Sequence, residues 1–188
     1  MSSTSTIVVQ PPQQVATGQI LYPPLVVRCP PIQDWTFYQV VFLGVDGSPV
    51  GHNDVGGTFA MNPRPLADAT SSSGSTSSSQ TWEYIAFPDL VINRTGSYCI
   101  QVNAFQMDYT QVPPSAHCTE QLISRDIRVH GSEAINSAPS TVSPLLKLYS
   151  NSSRSPTANP YRTIASREGQ LLTLLTNDGN FSIPQPPQ

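Results

Sequence analysis

The stretch Trp82–Met107, WEYIAFPDLVINRTGSYCIQVNAFQM, constrains the fold more than any other part of the chain. Tyr84-Ile85-Ala86-Phe87 is a short run of strand-favouring residues. Pro88 ends it, because proline has no N–H to give to a central ladder. Asn93-Arg94-Thr95-Gly96 supplies turn chemistry. Beyond the turn, Tyr98, Ile100, Val102 and Ala104 alternate with Cys99, Gln101 and Asn103, the period of a strand with one face on a core. Phe105 and Met107 fall on the opposite parity, so a bulge is expected near Ala104. A strand, turn and strand of this kind need partners in a sheet.

The rest of the chain supplies them. Ile7-Val8-Val9 reads as a short strand closed by Pro11-Pro12. Tyr22-Pro23-Pro24 is an extended lead-in to the β-branched run at Leu25–Val27. From Trp35 to Val45 both parities are apolar, as in a strand covered on both faces. Asp46-Gly47 is a hairpin signal, and Gly56–Met61 predicts another short strand. Gln121–His130 reads as one strand with Arg125, Asp126 and Arg128 interleaved among Leu122, Ile123, Ile127 and Val129. Ser143-Pro144 opens one or two helical turns through Tyr149. Asn159-Pro160 opens a short helix over Tyr161–Glu168, with Gly169 as its stop and Leu171–Thr176 as a last strand. The expected fold class is therefore mostly β: a β-sandwich with one or two short helices near the C-terminus.

At 188 residues a single domain with tails is expected. Residues 1–6 read as a polar tail, 7–176 as the domain and 177–188 as a Pro/Gln-rich tail. The serine-rich run at 69–80 reads as a loop insertion inside the domain, which loop-closure entropy tolerates at roughly 0.6 kcal/mol per doubling of length. The net charge of −3 lacks the basic balance of a general nucleic-acid binder, so any DNA contact would need a local basic patch. Cys29, Cys99 and Cys118 are odd in number and show no C-x-x-C spacing, which argues for free, buried thiols rather than a disulfide framework or zinc site. The N-terminal sequence has no basic segment before an apolar core, and no apolar run approaches a membrane span, so a soluble intracellular chain is expected.

Catalytic signatures are missing. No P-loop, G-x-S-x-G or G-x-G-x-x-G occurs. His52, His117 and His130 are widely spaced, His117 and Cys118 are neighbours that a strand would point apart, and Asp46, Asp54 and Asp68 read as turn formers. The expectation is a non-enzyme with no cofactor and no metal.

Phe87-Pro88-Asp89-Leu90 followed by Gly96 and Tyr98 resembles the central signature of the fungal velvet domain. Gln10-Pro11-Pro12 with Ala16 and Gly18, the Leu21–Val27 lead-in, Ser124–Val129, and Glu168-Gly169 before Leu171–Leu175 resemble further pieces of that family in the same order. The resemblance implies a sandwich akin to the Rel-type DNA-binding domain. It implies a regulator of fungal development, sporulation and secondary metabolism, found in nucleus and cytoplasm. It also implies a homodimer, or a heterodimer with another velvet protein, with DNA as a candidate further partner; no membrane partner is expected, since no apolar run is long enough. The family's N-terminal segment is basic and meets phosphates, whereas Gln13–Thr17 here holds no Lys or Arg. The basic loop keeps only Arg94, and the next strand offers Ser97, Cys99 and Gln101. Arg28, Arg94, Arg125 and Arg128 remain as DNA-contact candidates, against their ordinary reading as solvated edge or turn arginines. Their clustering on one face would favour DNA. The alternatives are a velvet-fold interaction subunit that leaves DNA to its partner and an unrelated β-sandwich ligand-binding module.

Overall fold

The computed structural model describes residues 4–31, 36–66, 82–131, 166–178 and 181–183. Trp35, the serine-rich run at 69–80 and the helical turns expected at Ser143–Tyr149 lie outside the described residues.

The chain is mostly β. One sheet joins β1 (Thr6–Val9), β3 (Leu25–Cys29), β8 (Glu83–Phe87) and β7 (Arg64–Pro65) in the order β1-β3-β8-β7. The other joins β2 (Gln14–Ala16), β12 (Ile127–His130), β10 (Gly96–Asp108), β4 (Thr36–Gly44) and β6 (Ala60–Met61) in that order. A further strand, β11 (Ser115–Ile123), pairs with β10 beyond the short reach of β12. β5 (Val55–Gly56) and β9 (Val91–Ile92) make a two-stranded ribbon.

The two large sheets face each other across one core. Leu25, Val27, Ile85 and Phe87 enter it from the first sheet, and Tyr38, Val40, Phe42, Ile100, Val102 and Ile127 from the second. The alternation along β10 holds: Tyr98, Ile100, Val102 and Ala104 are all buried. The turn at 93–96 is tied down by Tyr98, whose hydroxyl donates to the carbonyls of Arg94 at 3.1 Å and Thr95 at 3.3 Å. This is the bonding pattern of a tyrosine corner, in which a ring rooted in one strand clamps the loop that feeds it. Tyr98→Phe should therefore lower the unfolding free energy by about 1 kcal/mol without changing the fold, as read by urea titration.

Several expectations are corrected. Leu171–Thr176 is not a strand but the C-terminal half of a helix, α1 (Ser166–Asn177), which runs through Gly169 instead of stopping there. A short apolar run has no period that separates strand from buried helix, and an interior glycine costs a helix only about 1 kcal/mol. Tertiary packing decides: Leu172, Leu175 and Phe181 pack on Val9, Val26 and Ala86, the outward face of the first sheet. That contact also draws in part of the expected C-terminal tail. The N-terminal tail is shorter than 1–6, since Thr6 opens β1 and Ser5 is only 4% exposed, bonded to the Tyr38 hydroxyl at 2.9 Å.

The single strand expected over Gln121–His130 is two strands. The Ser124 N–H donates to the Ile100 carbonyl at 2.8 Å, while its hydroxyl accepts the Ile100 N–H at 2.9 Å and donates to the Arg125 carbonyl at 2.9 Å, so a side chain takes over one half of the ladder pair at the corner. The register shift near Ala104 exists, but the extra residue is Thr119 on β11. β10 itself pairs unbroken with β4 from Tyr98–Gly44 to Gln106–Thr36. Phe105 therefore stays on the outward face, stacked on Phe37 with ring centroids 5.3 Å apart. β4 is fully buried on one face only: Phe37, Val41 and Leu43 on the other are partly buried. Of the three thiols only Cys29 is buried, while Cys118 lies in the open on β11.

Candidate nucleic-acid interface

Three segments meet at the β2–β12 flank of the second sheet. β12 pairs in parallel with β2, setting Arg128 beside Gln14, and antiparallel with the start of β10, setting Arg128 beside Ser97. The Arg128 N–H donates to the Gln13 carbonyl at 2.8 Å, and the Arg125 N–H to the Gln10 side-chain carbonyl at 3.0 Å. The N-terminal segment is thus latched onto the corner that Ser124 fixes. Between these elements lies an open groove of about 610 Å³ lined by Gln13, Gln14, Ser97, Arg125, Asp126, Ile127 and Arg128. Its chemistry is that of a modest anion cradle: two guanidinium groups, one opposing carboxylate, and neutral amide and hydroxyl donors.

The other two candidate arginines are elsewhere. Arg28 sits on the first sheet with its guanidinium 4.3 Å from the Trp82 ring centroid, and its buried Nε has no hydrogen-bond partner. Arg94, in the loop between β9 and β10, reaches Asp54 at 3.3 Å. Only Arg125 and Arg128 converge.

The signature residues hold the fold. Phe87 and Leu90 are wholly buried, and Pro88 follows the end of β8. Asp89 takes the Thr58 N–H at 2.9 Å and the Thr58 hydroxyl at 2.7 Å, clasping a loop from the far side of β5. A Cβ on Gly96 would stand 3.0 Å from the Tyr98 hydroxyl oxygen, so the bare backbone lets the tyrosine pass beneath it.

The remaining ionisable groups serve turns or the core. Asp46 accepts the Ser48 N–H and hydroxyl, which hold its carboxyl below the ordinary carboxylate range. Burial pushes the Cys29 thiol up to about 12, so it is a packing group rather than a nucleophile. Burial likewise raises the Tyr38 hydroxyl. His117 and Cys118 pair successive residues of β10 and so point to opposite faces. Among the described residues no three His, Cys, Asp or Glu side chains gather where a metal could bind, and no helix is long and apolar enough to cross a membrane. Asp68 lies outside the described residues.

Two groove residues escaped sequence reasoning: Asp126, which lines it, and Ser124, which sets its corner. The polar triplet Ser124-Arg125-Asp126 between Ile123 and Ile127 was the available signal, since Ser and Asp interrupting an apolar run mark a turn.

The molecule is thus a β-sandwich carrying a small cationic groove on one sheet flank. No protein-family model matches the chain, and no curated protein matches it.

Proposed function

We propose that this chain is a velvet-like regulatory module of fungal development, sporulation and secondary metabolism, acting as one subunit of a dimer and touching DNA only weakly by itself. The observation that carries this reading is the convergence of Gln13, Gln14, Ser97, Arg125 and Arg128 in one groove. Gln13, Gln14 and Ser97 come from segments that are basic in the family the chain resembles, and Arg125 and Arg128 are the cations that stand beside them here. Two arginines partly offset by Asp126 suffice for about two phosphate contacts, far fewer than a free-standing DNA binder uses. The separation of Arg28 and Arg94 from this groove favours the subunit role, in which a more basic partner supplies the rest of the affinity.

A salt-dependent gel shift tests it. For two phosphates, log K against log salt should fall with a slope near −1.8, and dissociation should lie at the weak end of non-specific binding, about 10⁻⁴ M. The double variant Arg125→Ala, Arg128→Ala should flatten that slope towards zero. Co-expression with a basic velvet-type partner should tighten binding. No retardation by the chain alone would leave the interaction-subunit reading standing. A slope unchanged in the double variant would remove the groove from the account.

A further inference from the structure

The last described segment, Phe181–Ile183, sits in a groove wider and longer than itself. Phe181 is 7% exposed and joins Val26, Ala86, Leu172 and Leu175 in one apolar cluster. Beside it, Met61, Asn62, Arg64, Ile85 and Pro88 bound an unfilled cavity of about 140 Å³. Protein interiors leave few voids larger than a water molecule, so this is a seat that Phe181 does not fill. Past Ser182 the groove continues as an open trough of about 520 Å³ with Ile20, Met61, Pro88 and Ile183 along it. Ile20 is 47% exposed there. Thr58 and Asp89 at the rim are bonded to each other, which leaves the trough apolar. The segment itself is held lightly. Its Ile183 N–H donates to its own Phe181 carbonyl at 3.1 Å, and no backbone hydrogen bond among the described residues ties 181–183 to either sheet.

We propose that this groove docks an extended segment of another protein, one that presents an aromatic anchor followed two residues later by an aliphatic side chain, and that Phe181–Ile183 is its displaceable occupant in cis. The site lies between β6 and β8, away from the arginine groove on the β2–β12 flank, and does not depend on it. The chain's own segment gives the chemistry of the occupant: Phe181, Ser182, Ile183 and then, in sequence, Pro184. The unfilled cavity favours an anchor larger than phenylalanine. An indole adds the volume, and Asn62 at the cavity wall offers a carbonyl to its N–H. Burying one phenylalanine favours the docked segment over the undocked one roughly 50-fold. A short tether presents it at an effective concentration of about 1 mM. Together these give a Kd of about 20 µM for the same segment offered in trans to an emptied groove, and about 1 mM where the chain's own segment competes.

The probes are a synthetic peptide of Asn180–Gln188 and the same peptide carrying Phe181→Trp or Phe181→Ala. The receptors are the full wild-type chain and the full chain with Phe181→Ala, its fold checked by circular dichroism. Calorimetric titration should show the variant chain binding the native peptide with a Kd in the tens of micromolar, roughly 50-fold tighter than the wild-type chain does. The Phe181→Trp peptide should bind several-fold tighter than the native one, and the Phe181→Ala peptide should not bind. If the variant chain does not fold, the wild-type chain carries the test: the Phe181→Trp peptide should shift the Met61 methyl NMR signal with half-saturation at or below about 1 mM. A folded variant chain that binds no peptide overturns the proposal, as do equal affinities in variant and wild type, a Phe181→Ala peptide that binds as well as the native one, or a Met61 signal that does not move. Self-association of the wild-type chain that Phe181→Ala abolishes also overturns it, because the occupant is then a second copy.

Discussion

Gly57→Ala is expected to lower the unfolding free energy by about 3 kcal/mol or more, a large share of what holds a single domain folded. Gly57 has φ +114°, and a Cβ there would stand 2.5 Å from the Asp89 carbonyl oxygen and 2.9 Å from its carbon. Both atoms belong to the backbone, so no side chain can swing aside. The close approach has a purpose in the fold. Thr58, the next residue, gives its N–H and hydroxyl to the Asp89 carboxylate, and Gly56 pairs with Val91. The loop must lie flat against the Phe87–Leu90 segment for all of these bonds to form. Gly47 provides the contrast: it also has positive φ, +75°, but nothing lies within 4 Å of its would-be Cβ. Gly47→Ala should cost only about 1 kcal/mol, the backbone term alone. Urea midpoints for the two variants separate clash from strain. Equal losses would mean that Gly57 matters for its dihedral and not for its contact with Asp89.

That contact was not legible in the sequence, although both of its partners were. Gly56–Met61 reads as one short strand, but the chain leaves β5 at Gly56 and enters β6 only at Ala60; Phe87-Pro88-Asp89-Leu90 reads as a strand end, and the pairing between the two segments spans 31 positions and leaves no local periodicity. What the residues did determine locally came out well. The two-residue period of β10 put the right four side chains in the core, Pro23-Pro24 led into β3, and Asp46-Gly47 made its turn. Failures occurred where burial on a second face decides. β4 is apolar on both parities, yet its outward face is only half covered. The leucines after Gly169 have no strand partner but do have an apolar sheet face to lie on, so they form a helix. The candidate site divides in the same way. Arg125 and Arg128 could be named from the sequence, but their company with Gln13, Gln14 and Ser97 depends on the parallel β2–β12 pairing, which joins residues more than a hundred positions apart.

The second large effect concerns that helix. Leu175→Ala should cost about 3 kcal/mol, while Leu174→Ala should change stability by less than about 0.5 kcal/mol. Leu175 is wholly buried and Leu174 is 44% exposed, although they are neighbours. The loss at Leu175 has two parts: the methylene groups themselves, and the cavity left against Val9, Val26 and Ala86. β1, β3 and β8 meet α1 through those residues while β3 and β8 also line the main core, so the sheet has no spare face on which to relax. Both leucine variants should therefore unfold in a single transition, with the Leu175→Ala midpoint shifted and its slope unchanged. A separate early transition in Leu175→Ala would make α1 an appendage that docks on an already stable sandwich. It would also mean that Val26 and Ala86 tolerate exposure, which a sheet with both faces apolar cannot do without associating with something else.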